Sequence, residues 1–118
     1  MEPGDARKTM SQLRRGVLEY CVLALLRDRK RYGVELLREL GEVDAMVTSE
    51  GTIYPLLSRL RRDALVETTW QESSSGPPRR YYELTPSGAR ALDEFAAAWP
   101  GFNDAVLHFL TKNGEPTS

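Results

Sequence analysis

The stretch from Ser49 to Arg62 holds the residues of this chain whose types and spacing could do chemistry. Ile53, Leu56, Leu57 and Leu60 recur at i, i+3, i+4 and i+7, the stripe of an amphipathic helix. With about 100° between successive residues, Gly51, Thr52, Tyr54, Pro55, Ser58, Arg59 and Arg62 then face outward. Ser49 is placed to cap that helix, and Glu50 sets negative charge at the positive end of its dipole. Small and hydroxyl residues near the start, with guanidinium groups further along, suit a helix entering the major groove of DNA. One end permits close approach, and the length offers donors to base edges or phosphates. A solvated helix face carries arginines too. Gly51 and Pro55, however, both weaken a helix kept for packing alone. Pro55 lacks an N–H, which predicts a late or irregular helix start near Gly51–Thr52.

Other chemistry has little to stand on. Cys21 and His108 are the only residues of their kinds, and neither has a metal-ligand partner at a suitable spacing. There is no Ser/His/Asp arrangement, Gly-rich phosphate loop or placed carboxylate pair. No enzyme, cofactor or metal is expected. Cys21 reads as a small buried hydrophobe. A single cysteine excludes a disulfide framework and fits a reducing cytoplasm. No apolar run is long enough to span a bilayer, and no signal-peptide pattern opens the chain.

With 118 residues, 41% of them hydrophobic and 28% charged, the chain reads as one ordinary soluble domain with a modest core. Its net charge of −1 is unevenly spread: residues 1–80 carry 14 Lys and Arg against 12 Asp and Glu, residues 81–118 only 2 against 5. Basic residues cluster at Arg7/Lys8, Arg14/Arg15, Arg27 to Arg31, Arg59 to Arg62 and Arg79/Arg80. Clustering matters more than the sum, because counterion release depends on the phosphates actually met.

The elements that must position these residues follow from periodicity. Residues 1–10 are expected as a flexible arm. A first helix is predicted from about Ser11 to Arg29, apolar nearly all round between Val17 and Leu26, so that it must pack on its own domain and on something more, such as a C-terminal helix or a second subunit. A second opens at Tyr32-Gly33, buries Leu36, Leu37 and Leu40, and stops at Gly41. A brief strand is possible at Val47-Thr48. After the Ser49–Arg62 helix the period becomes two. Val66, Thr68 and Trp70 alternate with Glu67, Thr69 and Gln71 as one strand, residues 71–78 are a loop, and Arg79 to Leu84 is the returning strand. Thr85-Pro86 starts a last helix, striped by Leu92, Phe95, Ala96 and Trp99 and continued by Phe102, Val106, Phe109 and Leu110. Pro100-Gly101 should kink or break it. Residues 113–118 are expected to be disordered.

Helix, helix, helix and hairpin is the order of a winged helix-turn-helix, a mainly α (α+β) fold. Here the motifs also carry a resemblance. Tyr32-Gly33, the run from Glu50 to Leu60, Leu65-Val66, and the run from Gly76-Pro77-Pro78-Arg79-Arg80 through Tyr81-Tyr82-Glu83-Leu84-Thr85-Pro86 to Ser87-Gly88 resemble the PadR family of bacterial transcriptional regulators. The resemblance spans about residues 12–110 and is nearest the short subfamily with a single C-terminal dimerisation helix. It implies a winged helix-turn-helix over residues 11–85, a dimerisation helix over 86–112, and a homodimeric repressor. The two reading helices would lie about 34 Å apart on an inverted repeat of double-stranded DNA. Leu18, Leu92, Phe95, Trp99, Phe102, Val106, Phe109 and Leu110 would form the dimer interface.

Ser49, Gly51, Thr52, Tyr54, Pro55 and Ser58 are then expected against bases or nearby phosphates. Arg59 and Arg62 would meet phosphates or a guanine edge, and Arg79 and Arg80, at the wing base, the backbone or minor groove. For Tyr82, packing on the core is the first reading. Some short family members hold flat aromatic effectors between dimerisation helices on a tryptophan. Trp99 matches that position, with Phe95, Phe102, Val17 and Tyr20 as possible neighbours, although an interface aromatic would look the same. Two other classes remain in competition: a winged-helix module that binds a protein instead of DNA, and a small-molecule carrier using the Trp99 cavity.

Overall fold

A computed structural model of the chain describes residues 3–112, with side chains from Ala6 onward. In chain order the elements are α1 (Pro3–Arg15), α2 (Leu18–Asp28), β1 (Arg31–Tyr32), α3 (Gly33–Leu40), a 3-10 turn (Asp44–Met46), α4 (Glu50–Arg62), β2 (Val66–Ser73), β3 (Gly76–Leu84) and α5 (Pro86–Lys112). The strands form one antiparallel sheet in the order β1-β3-β2.

The core gathers around α2. Its Leu18, Val22, Leu23 and Leu26 meet Leu36 and Leu40 of α3, Ile53, Leu57 and Leu60 of α4, Val66 and Tyr82 of the hairpin, and Leu92 of α5. Full burial of each such side chain stabilises by about 1.5–3 kcal/mol, and truncating one, as in Leu57→Ala, costs about 2–5 kcal/mol. Arg27 ties α2 to α5 through Asp93 Oδ1 at 2.5 Å and the Ala89 carbonyl at 3.3 Å. The cover expected for α2 beyond the small domain thus comes from the C-terminal helix α5 of the same chain, the first of the two alternatives its sequence left open. Tyr82 packs inside as read.

Several boundaries differ from expectation. The region before Ser11, expected as an arm, is helical from Pro3 in the described residues. The expected Ser11–Arg29 helix is two helices. Val17 N–H closes a turn onto the Arg14 carbonyl at 3.0 Å, and the Val17 carbonyl then accepts from Tyr20 and Cys21 to start α2. Gly16, whose backbone freedom opposes helix, marks the break. The extra strand is β1, not Val47-Thr48. Paired with Tyr81 and Tyr82 of β3, it exists only because the chain returns to it. Helix α4 begins regularly at Glu50, with Thr52 and Ile53 N–H both reaching the Ser49 carbonyl, so Pro55 does not delay it. The lost bond would have gone to the carbonyl of Gly51, an exposed residue.

The hairpin is longer than predicted: Ser73 pairs with Gly76 and the turn is only Ser74-Ser75. Between the Gln71–Arg79 and Ser73–Gly76 pairs, Pro77 and Pro78 oppose Glu72 alone. That bulge lets two residues without N–H groups occupy a strand. At the other end, α4 stops with Ala64 at φ 62°, and Leu65 N–H returns to the Leu60 carbonyl at 2.9 Å, a Schellman-type ending. Thr85 caps α5 by accepting from Gly88 N–H at 3.0 Å, and donates to the Ala64 carbonyl at 2.7 Å. A Cβ on Gly88 would lie 2.1 Å from the Leu65 carbonyl oxygen, so only glycine permits this crossing. Helix α5 runs unbroken through Pro100, correcting the expected break. The carbonyl deprived of its donor belongs to Ala96, which is exposed. The tail 113–118 lies outside the described residues.

Candidate nucleic-acid interface

Burial of Ile53, Leu57 and Leu60 turns the opposite side of α4 outward, and Gly51, Thr52, Tyr54, Pro55, Ser58 and Arg62 are all exposed there. The N-cap position is Ser49, as read, yet its side chain makes no capping bond. Its hydroxyl instead lies 3.4 Å from Thr52 Oγ1. With the Thr52 N–H already on the Ser49 carbonyl, it is the N–H groups of Glu50 and Gly51 that face outward for an outside acceptor.

The two outward arginines differ. Arg59 donates to Glu19 Oε1 of α2 at 2.7 Å and has Asp63 at 3.9 Å, so its first role is to brace α4 on α2. Arg62 is 71% exposed, with only Asp63 at 3.9 Å among the described residues, and is the guanidinium available to a ligand. Tyr54 leans across Gly33 at the start of α3. Burial, reinforced by Glu50 and Tyr82, raises its phenol pKa above the ordinary value, so the hydroxyl remains a neutral donor at neutral pH.

Arg79 and Arg80 lie mid-strand opposite Gln71 and Trp70, nearer the middle of the wing than its base. The Arg79 guanidinium lies over the Tyr32 ring, 4.5 Å from its centroid, and that of Arg80 over the Trp70 ring at 4.9 Å. Each contact stabilises by about 0.5–1 kcal/mol at an exposed site, and a guanidinium's five N–H donors leave it able to bind phosphate as well. The wing arginines, Trp70, Arg38 of α3 and Tyr54 of α4 line one cleft of about 440 Å³. Sequence reasoning missed Arg38 and Trp70. Arg38 was hidden because α3 was read for its apolar stripe, and Trp70 because strand alternation gives no sign of a cation above the ring.

The aromatic residues of the second candidate site also come together. Tyr20 stacks on Phe95 at 4.1 Å, Phe95 on Trp99 at 5.6 Å, and Phe102 is 6.2 Å from Trp99. Val17, Phe95, Trp99 and Phe102 line a cavity of about 530 Å³ with Leu13 and Val106, and Cys21 and Met46 line a neighbouring one with Trp99. Burial raises the Cys21 thiol pKa, and its thiol points to the Met46 sulfur at 3.9 Å, in keeping with a packing residue. Beyond Trp99, Phe102, Val106, Leu107, Phe109 and Leu110 are exposed on α5. Leu18 and Leu92, expected at a dimer interface, are instead buried in the chain's own core, leaving little surface for a second copy. Among the described residues, no group of three or more His, Cys, Asp or Glu could hold a metal, and no helix is long and apolar enough to cross a membrane.

A helix pair presenting its second helix beside a two-stranded wing defines a winged helix-turn-helix. Residues 22–94 match the transcriptional regulator PadR-like family, and the chain belongs to it. A solved PadR family transcriptional regulator from Eggerthella lenta is 35% identical, with 93% of this chain and 96% of that one covered and a TM-score of 0.81. A PadR-like transcriptional regulator from Bacillus cereus is 39% identical, with 88% and 99% covered and a TM-score of 0.75. A transcriptional regulator of Mycobacterium tuberculosis is 35% identical over 85 residues, 72% of this chain and 78% of that protein. The chain is accordingly a transcriptional regulator of the PadR family.

Proposed function

We propose that this regulator is a sequence-specific DNA-binding repressor, acting as a homodimer on an inverted repeat and released by a small aromatic molecule. The observation that carries the DNA reading is the cleft where Tyr54 of α4 meets Arg38, Arg79 and Arg80. Reading helix and wing cations open on the same side, as binding to one duplex requires. Within this reading, Gly51, Thr52, Pro55 and Ser58 approach base edges, and Arg62, Arg79 and Arg80 neutralise phosphates. Arg59 acts mainly by holding α4 on α2.

Support for the homodimer comes from the uncovered apolar end of α5, where Phe109 is 67% and Leu110 73% exposed. Apolar patches of this kind mark interfaces. Support for the effector comes from the Trp99 cavity, whose stacked aromatic wall matches a flat ring. The deciding experiment titrates a labelled duplex from the chain's own promoter region, with unrelated DNA as control, over a range of salt. Specific binding with a steep salt slope is expected. Equal, weak binding to every sequence would transfer the fold to a protein-interaction role.

A further inference from the structure

Helix α1 carries cations that the proposed interface leaves unused. Arg7, Lys8, Ser11 and Arg14 fall at i, i+1, i+4 and i+7, and line one wall of a cleft of about 630 Å³. The facing wall is Val47, Thr48, Ser49 and Thr52, the approach to α4 and its first turn. Arg14 Nη1 donates to the Ala45 carbonyl at 2.8 Å, pinning α1 beside the turn that leads into α4. Arg7 and Lys8 are exposed, and neither pairs with a carboxylate among the described residues. Asp44 precedes the facing wall in sequence and Glu50 falls within it, but neither lines the cleft.

The cleft is continuous with the face of α4. Thr52 also lines the adjoining cleft, where Arg15 of α1 stands with Pro55, Arg59 and Arg62. Cations of α1 therefore flank α4 from its first turn toward its last. They line the wall facing α4 in both clefts, where the strand bordering an occupied groove would pass. The start of α4, which has no side-chain cap, adds the N–H groups of Glu50 and Gly51, favourable to an anion.

We propose that α1 is a third DNA-contacting element, in which Arg7 and Lys8 hold backbone phosphates beside the groove that α4 enters. This rests on the reading of α4 as the DNA helix. The contact is electrostatic and blind to sequence, so it adds affinity without discrimination.

The test uses the full chain, R7A/K8A and the charge reversal R7E/K8E, with R62A as reference. Anisotropy of a labelled duplex from the chain's own promoter region and of a scrambled duplex is followed against salt, after thermal melts confirm that each variant is folded. For R7A/K8A, affinity at 0.1 M salt falls by roughly tenfold on both duplexes, and the salt slope drops by about one to two units. R7E/K8E falls further, and the ratio of the two affinities stays constant. Unchanged affinity and slope for both α1 variants, while R62A weakens binding, overturns the proposal and leaves the DNA reading standing. A loss confined to the promoter duplex also overturns it, because α1 would then act by positioning α4. Perturbation of Arg7 and Lys8 by inorganic phosphate, without any change in the DNA salt slope, assigns the cleft to free phosphate instead. No binding of either duplex by the unsubstituted chain removes both readings together.

Discussion

A Cβ placed on Gly33 would lie 2.5 Å from Cε1 of Tyr54, because the Tyr54 ring crosses the first residue of α3. The outward aromatic of the reading helix is thus seated by a missing side chain on its neighbour. Gly33 itself is buried, and the ring end of Tyr54 is the flexible partner in the contact.

Gly33→Ala therefore displaces the ring toward the wing cleft more than it unfolds the protein. The expected stability loss is below about 1.5 kcal/mol, within the range of a tolerated overpacking. DNA affinity should fall by a larger factor. Thermal melts and DNA titrations of Gly33→Ala, Tyr54→Ala and the double substitution would give a coupling of about 0.5–3 kcal/mol if the two residues act as one unit. Additive effects would separate them.

The buried Arg31, 5% exposed, sets an acid limit on stability. Its Nε donates to Glu39 Oε2 at 2.5 Å and its Nη2 to Oε1 at 3.0 Å, with Asp28 at 3.3 Å. Nη1 donates to the Leu25 carbonyl. The Arg31 hydrogen bond holds the Glu39 carboxyl below its ordinary pKa against the opposing effect of burial. A carboxylate whose folded pKa is depressed stabilises fully above the unfolded value and loses that stability as pH falls through the folded one. Stability measured by denaturant should thus decline below the ordinary carboxylate range, and Glu39→Gln should flatten that decline. Because Glu39 is partly exposed, its removal is expected to cost about 1–3 kcal/mol, less than for a fully buried pair.

What could be read in advance was whatever repeats along one element. The stripe Ile53, Leu57 and Leu60 fixed which side of α4 faces out, and the Phe95–Leu110 stripe fixed the apolar side of α5. What could not be read depends on contacts between residues far apart. Strand β1 is two residues that pair only with β3, and Arg31 becomes structural only because Glu39 turns back to it. Arg59 looked like a DNA contact until Glu19, forty residues earlier, stood 2.7 Å away. The wing's length was hidden by Pro77-Pro78, which normally stop a strand and here occupy a bulge. Gly16 was overlooked as a breaker because the apolar run following it suggested one continuous helix.

The exposed end of α5 predicts assembly. Phe109→Glu with Leu110→Glu should turn a dimer into a monomer by sedimentation and weaken operator binding, because two half-sites bound together gain from each other. Neither residue is in the core of the chain, so the melting temperature at high dilution should change little. A dimer unaffected by the pair would place the interface elsewhere.

Trp99 predicts a ligand signal. In a Trp70→Phe background, which leaves Trp99 as the only tryptophan, planar aromatic compounds should quench fluorescence by stacking. Trp99→Ala, followed by calorimetry because it removes the fluorophore, should weaken their binding by about tenfold, which is about 1.4 kcal/mol and near the upper end of the roughly 0.5–1.5 kcal/mol of one aromatic pair. Quenching that persists when Phe95 and Phe102 are replaced would contradict the assigned cavity.

The salt dependence of promoter binding by the unsubstituted chain, Arg62→Ala and Arg79→Ala tests the DNA reading most directly. Each substitution is expected to weaken binding and lower the slope of log affinity against log salt by about one unit, the signature of one lost phosphate contact. Slopes identical in all three proteins, or no salt-dependent binding by any of them, would contradict it.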